Sequence, residues 1–107
     1  METEPVSRYF ELDADRDVDA IVALFTDDAT VVDEGQTYRG TAEIRAWRLG
    51  PASKYEYSTT ILDREALDAD RYVVTGRLTG NFPGGTVDLK LDFTVAGGLI
   101  SRLVIAP

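Results

Sequence analysis

Two side chains in this sequence are suited to acid–base chemistry on a small molecule, and the first is Asp33. It follows Val31-Val32 at the end of an apolar segment, and we expect it to face an aromatic-rich interior. Burial there would disfavour the charged carboxylate and raise its pKa toward neutrality. A base of that kind can remove a proton next to a carbonyl group. A second interpretation stays open, because Asp33-Glu34-Gly35 is also a good tight-turn sequence.

The second candidate is Tyr9, as a hydrogen-bond donor. It lies three residues after Val6, a spacing typical of the buried face of an amphipathic helix. A buried tyrosine still needs a partner for its hydroxyl group, and in an apolar interior a ligand oxygen could be that partner. The sequence leaves both roles open, core residue and donor.

Six further residues are candidates to line a pocket for a flat apolar ligand. They are Phe25, Trp47, Tyr55, Tyr57, Leu91 and Phe93. The alternative is that several of them only fill the core, since the chain has few other large side chains. Two arginines of the third predicted helix, Arg45 and Arg48, are expected to be solvated or paired with Glu43 or Asp33.

Composition narrows the chemistry further. The 107 residues include no cysteine and no histidine, which removes disulfides, thiolate chemistry, the Ser-His-Asp triad and the commonest zinc ligand. We therefore expect no metal and no nucleotide cofactor, and acid–base steps that use Asp, Glu, Tyr or Lys. The net charge of −8, from 19 acidic and 11 basic residues, predicts no nucleic-acid partner and no anionic membrane partner. The acidic start of the chain does not resemble a signal peptide, and a cytoplasmic protein is expected.

The elements that would position these residues are helical in the first half of the chain. Thr3 is a possible cap for a first helix, and Asp13 to Arg16 predict a polar corner after it. Asp17 predicts the cap of a second helix that buries residues up to Phe25 and ends at Asp27-Asp28. A short strand over 30–33 follows, and Gly40 opens a third helix that Gly50-Pro51 ends.

The second half changes to a period of two, with strands separated by Asp- and Gly-rich turns. Helices followed by meandering strands predict one α+β domain over residues 1–107, in which three N-terminal helices cover a curved antiparallel sheet. A bent sheet of this kind leaves a conical interior in which an apolar small molecule could bind.

The segment from Asp17 to Asp33, followed by Tyr38-Arg39-Gly40-Thr41-Ala42-Glu43-Ile44, resembles the nuclear transport factor 2-like superfamily. That superfamily includes SnoaL-like polyketide cyclases, ketosteroid isomerases and limonene epoxide hydrolases, and the resemblance implies a cone-shaped, cystatin-like roll. The resemblance implies that Asp33 corresponds to the general base of the ketosteroid isomerases. It also implies that Tyr9, in the pair Arg8-Tyr9, corresponds to their oxyanion donor.

A third polar residue of those isomerases does not carry over. Leu91 stands at its position, two residues before Phe93, and the neighbouring Asp92 has the strand parity of an outward-facing residue. The resemblance implies cofactor-free isomerisation, cyclisation or dehydration of an apolar carbonyl compound. The alternative is a non-catalytic ligand-binding or dimerisation module of the same fold. A homodimer through the outer face of the sheet is expected, because several strands carry apolar residues of both parities.

Overall fold

The computed structural model describes residues 4–107, which fold into helices packed on a single sheet. The helices span Glu4–Asp15 (α1), Val18–Val22 (α2) and Gly40–Leu49 (α3), and a 3-10 turn at Pro51–Ser53 follows α3. The strands span Phe25–Asp33 (β1), Gln36–Arg39 (β2), Tyr57–Asp68 (β3), Arg71–Gly80 (β4), Thr86–Ala96 (β5) and Leu99–Ala106 (β6). The expected cap Thr3 lies outside the described residues.

Two helix boundaries differ from the sequence-based expectation. Helix α1 continues through Asp13 to Asp15 instead of ending in a polar corner, because Leu12 and Asp13 face the interior and are buried. Helix α2 begins after Asp17, whose carboxylate accepts a hydrogen bond from the Ala20 N–H at 3.1 Å, as predicted. It ends at Val22, well before the expected boundary, because the following backbone joins the sheet.

The six strands form one sheet in the order β2-β1-β6-β5-β4-β3. Four of the five neighbouring pairs are antiparallel, as expected, whereas β1 and β6 pair in parallel. This pair brings the first long strand beside the last one, and the Ile100 N–H donates to the Leu24 carbonyl at 2.7 Å where they meet. Within residues 4–107, no helix is long and apolar enough to cross a membrane.

Register shifts bend the sheet around the helices. They occur in the β3–β4 pair near Ile61 and Ala66 and in the β5–β6 pair near Thr94, and such bulges increase strand curvature. Gly80 contributes at the other end of β4, because a Cβ atom there would collide with the carbonyl oxygen of Glu56. The result is the predicted α+β cone, with α1 and α3 across its concave side.

One apolar core joins the helices to the inner face of the sheet. Its fully buried members include Ile21, Val31, Ile44, Trp47, Phe93, Ile100 and Leu103. The outer face is polar in places, and Arg71 forms a two-bond ion pair with Asp92 across β4 and β5. Asp92 therefore points away from the interior, as its strand parity predicts.

Candidate active site

A cavity of about 540 Å³ opens between the helices and the concave face of the sheet. Its floor is apolar and includes Leu78, Val87, Leu89, Leu91 and Ile105. A small set of polar side chains reaches the same space from the helices and from two strand ends. Volumes of this order, apolar walls and few polar groups are typical of small-molecule sites.

Asp33 reaches the cavity from the end of β1. The next two residues, Glu34 and Gly35, have φ angles of 51° and 75°, and Gln36 pairs directly with Asp33. Positive φ at both central residues is the pattern of a type I′ hairpin turn. The turn and the cavity therefore involve the same aspartate: its backbone enters the hairpin, and its side chain lines the cavity.

The Asp33 carboxylate is held by Trp47 of α3. The indole N–H donates to Asp33 Oδ2 at 3.0 Å, and Trp47 itself is 1% exposed. Burial raises the pKa of Asp33 above its ordinary value of 3.8, whereas the hydrogen bond from Trp47 acts in the opposite direction. Desolvation outweighs the hydrogen bond, so Asp33 is a stronger base than an exposed aspartate.

Tyr9 is packed on three sides by rings and reaches the cavity from α1. Edge-to-face contacts join it to Phe10, Phe25 and Phe93 at centroid distances of 5.5, 6.5 and 5.5 Å. Burial raises the pKa of the Tyr9 hydroxyl well above its ordinary value of 10.0, so the group stays protonated. Arg48 Nη1 donates to the Tyr9 hydroxyl oxygen at 3.4 Å, and no group of residues 4–107 accepts from this hydroxyl, so its proton is available for a ligand.

A buried ion pair lies beside Tyr9 and ties α1 to α3. Arg48 Nη2 donates to Asp13 Oδ1 at 2.7 Å, and the two side chains are 2% and 8% exposed. The hydroxyl of Tyr57 on β3 donates to the same oxygen at 2.8 Å. Helix, helix and sheet thus meet at one carboxylate oxygen.

The charges of this cluster are fixed by its own members. Burial alone would lower the pKa of Arg48, but the neighbouring Tyr9 and Asp13 raise it above the ordinary value, so the guanidinium stays charged. Burial and the Asp13 charge raise the pKa of Tyr57 to about 12, so its hydroxyl stays a donor. Charge-assisted hydrogen bonds of this kind are short and strong.

The structure brings most of the sequence-predicted site residues to the cavity. Asp33, Tyr9, Trp47, Tyr55, Tyr57 and Leu91 all line it. Phe25 and Phe93 do not: they are 3% and 0% exposed and pack behind Tyr9 in the core. The prediction that Phe25 and Phe93 contact the ligand is therefore corrected: they support the Tyr9 ring from behind.

The sequence reasoning missed Asp13 and misplaced Arg48. Asp13 was expected at a helix boundary, and Arg48 was expected in solvent or beside Glu43 or Asp33. In the structure both are buried and paired with each other, whereas Arg45 pairs with Asp19 on the surface. The available signal was the spacing of Tyr9 and Asp13, which places them one helical turn apart on one face.

Metal-ligating groups are not gathered anywhere in residues 4–107. No three Asp or Glu side chains converge there as a metal ion would require, and the chain has no histidine or cysteine. The polar groups of the cavity form ion pairs and hydrogen bonds among themselves.

The fold and cavity define a member of the nuclear transport factor 2-like superfamily. The model of the SnoaL-like domain matches residues 6–103, and the chain belongs to that family. No curated protein matches the chain.

Solved structures agree with this assignment. A proposed polyketide cyclase from Sinorhizobium meliloti is 34% identical, with a TM-score of 0.89 over 96% of this chain and 94% of the other. A protein of ketosteroid isomerase-like fold from Catenulispora acidiphila, solved with trimethylamine, is 21% identical, with a TM-score of 0.85 over 97% and 85%. The epoxide hydrolase/cyclase-like enzyme SalBIII of pyran ring formation in salinomycin is 23% identical, with a TM-score of 0.83 over 97% and 88%.

Proposed function

We propose that the cavity binds an apolar carbonyl compound and that Asp33 transfers a proton on it without a cofactor. One observation carries the proposal: a carboxylate of raised pKa and a tyrosine hydroxyl with a free proton line the same apolar cavity. A base and an oxygen-binding donor are the two groups that enolisation of a ketone requires.

The chemistry is a proton transfer with a stabilised oxygen. The Asp33 carboxylate removes a proton from the carbon next to the carbonyl, and the electron pair of that C–H bond moves onto the carbonyl oxygen. The Tyr9 hydroxyl donates a hydrogen bond to the enolate formed. Where a C=C bond adjoins the deprotonated carbon, return of the proton from Asp33 to the far carbon of that bond completes an isomerisation.

Two further outcomes start from the same enolate. Attack of its carbon on a second carbonyl group forms a ring, and the new alkoxide takes the proton back from Asp33. Alternatively, a hydroxyl group on the neighbouring carbon takes the Asp33 proton as its C–O bond breaks, and loss of water gives a dehydration. The likeness to the proposed polyketide cyclase, at 34% identity, supports cyclisation among these.

A non-catalytic ligand-binding module is the second candidate function. The observation in its favour is Leu91, which places an alkyl side chain on the cavity floor where ketosteroid isomerases carry their third polar residue. Such a module would use the same cavity and the same Tyr9 donor for binding alone.

A homodimer through the outer face of the sheet belongs to either function. Leu67, which is 44% exposed, lies with Val73 and Val104 in a groove on that face whose rim carries charged residues such as Asp63 and Lys90. A second copy would cover these apolar side chains and meet the charged ones at the edge of the contact.

Proton exchange at a simple ketone tests the proposal directly. 2-Decalone is incubated with the protein in D₂O, and loss of the NMR signals of its α-protons is followed. Asp33→Asn keeps the side-chain shape and should lower the exchange rate by about 10²- to 10⁴-fold, the usual effect of removing a general base. Tyr9→Phe should lower it by about 10²- to 10³-fold, as for loss of one oxyanion donor.

Asp27→Asn is the matched control, because Asp27 is an exposed aspartate of the same strand. It should exchange the ketone like the unmodified protein. Exchange that is unchanged in Asp33→Asn would contradict the proposal. Binding of 2-decalone with no exchange above background would favour the non-catalytic module instead.

A further inference from the structure

Tyr9 and Asp13 form a second recognition element of the cavity, separate from the base. They lie four residues apart on α1, so their side chains leave the same face of the helix. Both line the cavity and both contact the guanidinium of Arg48, which is 2% exposed. One buried cation therefore fixes the position of both side chains.

The two oxygens of Asp13 have different surroundings. Oδ1 accepts two hydrogen bonds, from Arg48 at 2.7 Å and from Tyr57 at 2.8 Å. Oδ2 accepts no hydrogen bond from residues 4–107. Among these residues, Arg48 Nε is the one side-chain atom that is both fully buried and without a partner, so Oδ2 is not fully buried. Within residues 4–107 this oxygen is therefore neither bonded nor sealed off, and on a residue that lines the cavity it is open to a ligand.

Tyr9 shows the complementary arrangement. Arg48 occupies the acceptor side of its hydroxyl oxygen at 3.4 Å, and the proton is free to donate. The cavity wall thus carries a donor, the Tyr9 O–H, beside an acceptor, Asp13 Oδ2. Because the charge of Arg48 compensates that of Asp13, the pair suits neutral polar groups better than a free cation or anion.

We propose that this pair recognises a carbonyl together with a hydroxyl group on its β-carbon, so that the substrates are β-hydroxy ketones or similar hydroxylated carbonyl compounds. The carbonyl oxygen accepts from Tyr9, and the hydroxyl donates to Asp13 Oδ2. The inference takes one element from the proposed function, namely that the carbonyl oxygen of the ligand binds at the Tyr9 hydroxyl. It makes Asp13 a determinant of specificity, which the sequence reasoning did not identify.

Binding of three matched ligands tests the inference without any chemistry. The ligands are 2-decalone, 4-hydroxy-2-decalone and 4-methoxy-2-decalone, and the protein is the Asp33→Asn variant, which lacks the base. The fluorescence of Trp47, the one tryptophan of the chain, reports binding because this residue lines the cavity. The hydroxy ketone should bind about 10- to 100-fold more tightly than the other two, as expected for a hydrogen bond to a charged group.

Variants of the acceptor separate recognition from structure. Asp13→Asn, added to Asp33→Asn, still accepts from Arg48 and Tyr57 but can present an N–H group to the ligand, so the preference should fall below about threefold. Asp15→Asn, an exposed aspartate of the same helix, should keep the full preference. Equal weakening of all three ligands in Asp13→Asn would mean a structural role and would overturn the inference.

The comparison of the three ligands also tests the inference without the Asp13→Asn variant. If Asp13→Asn does not fold, equal affinity of the hydroxy, methoxy and unsubstituted ketones for the Asp33→Asn protein overturns the inference, and a preference for the hydroxy ketone supports it. Failure of the proposed function would look different, because it would abolish exchange of 2-decalone in the unmodified protein and leave the hydroxyl preference in place.

Discussion

The indole N–H of Trp47 donates a hydrogen bond to Asp33 Oδ2 at 3.0 Å, so the one tryptophan of the chain contacts the candidate base directly. The contact joins the end of β1 to the last turn of α3 and orients the carboxylate in the cavity. It also supplies an optical signal for the protonation state of Asp33, since an ionised and a neutral carboxyl group affect the neighbouring indole differently.

The first prediction uses that signal. The fluorescence of Trp47 should change with pH in one transition whose midpoint lies above 3.8, because burial raises the pKa of Asp33. The transition should be absent in Asp33→Asn and retained in the control variant Asp27→Asn. A titration that persists in Asp33→Asn would show that another group perturbs the indole.

The second prediction concerns the hydrogen bond itself. It lowers the pKa of Asp33, so Trp47→Phe should raise that pKa. The exchange rate of 2-decalone rises with pH as the base ionises, and this rising limb should therefore move to higher pH. Loss of the buried indole should also cost about 1–3 kcal/mol in the free energy of unfolding.

Tyr38→Phe is the matched control for that experiment. The Tyr38 ring packs on Trp47 at a centroid distance of 6.2 Å, but its hydroxyl makes no hydrogen bond with Asp33 in the described residues. It should leave the limb in place. A limb that moves equally in both variants would assign the effect to packing around Trp47.

The third prediction is the pH dependence of stability. A carboxyl group whose pKa is raised in the folded state stabilises the fold fully below its unfolded pKa, and that contribution is lost as pH rises through the folded pKa. Asp33→Asn cannot ionise. Its free energy of unfolding should therefore exceed that of the unmodified protein at neutral pH, with a difference that shrinks as pH falls below the raised pKa. Urea unfolding at several pH values measures this difference, and the opposite trend would contradict a raised pKa.

Much of the fold follows from the sequence because hydrophobic period and end signals are local. The period of two in the second half and the Asp17 cap both correspond to elements of the structure. The parallel pairing of β1 with β6 and the early end of α2 do not follow, because they depend on contacts between residues about 75 positions apart, such as Phe25 with Ile100.

The same division applies to the site. Asp33 and Tyr9 were found from their place relative to apolar neighbours, which is a local property. Asp13 and Arg48 were missed because a charged residue is usually exposed unless it is paired, and the pairing joins residues 35 positions apart. Only the three-dimensional structure, in which Arg48 of α3 reaches Asp13 of α1, shows that these charges are buried together.

The fourth prediction measures that buried pair. Arg48→Met leaves Asp13 without its cation and should lower the free energy of unfolding by about 3–5 kcal/mol, whereas the double variant with Asp13→Asn should recover a large part of the loss. The surface pair Arg45 and Asp19, with side chains 45% and 82% exposed, is the control and should contribute less than about 1 kcal/mol. Additive effects of the two buried substitutions would contradict the coupling.

The fifth prediction is the homodimer. Val73, Asp92, Val104 and Val32 lie side by side across four strands of the outer face, so three valines flank one carboxylate that Arg71 already neutralises. Light scattering at micromolar concentration should give twice the mass of the chain. Val32→Arg places a charge in that row between the uncharged Thr37 and Val104 and should give the mass of one chain, because burying it without a partner is costly. Ser58→Arg, at an exposed position of the edge strand β3, should leave the dimer intact. A monomeric mass for the unmodified protein would contradict the predicted dimer and leave the outer face a solvated surface.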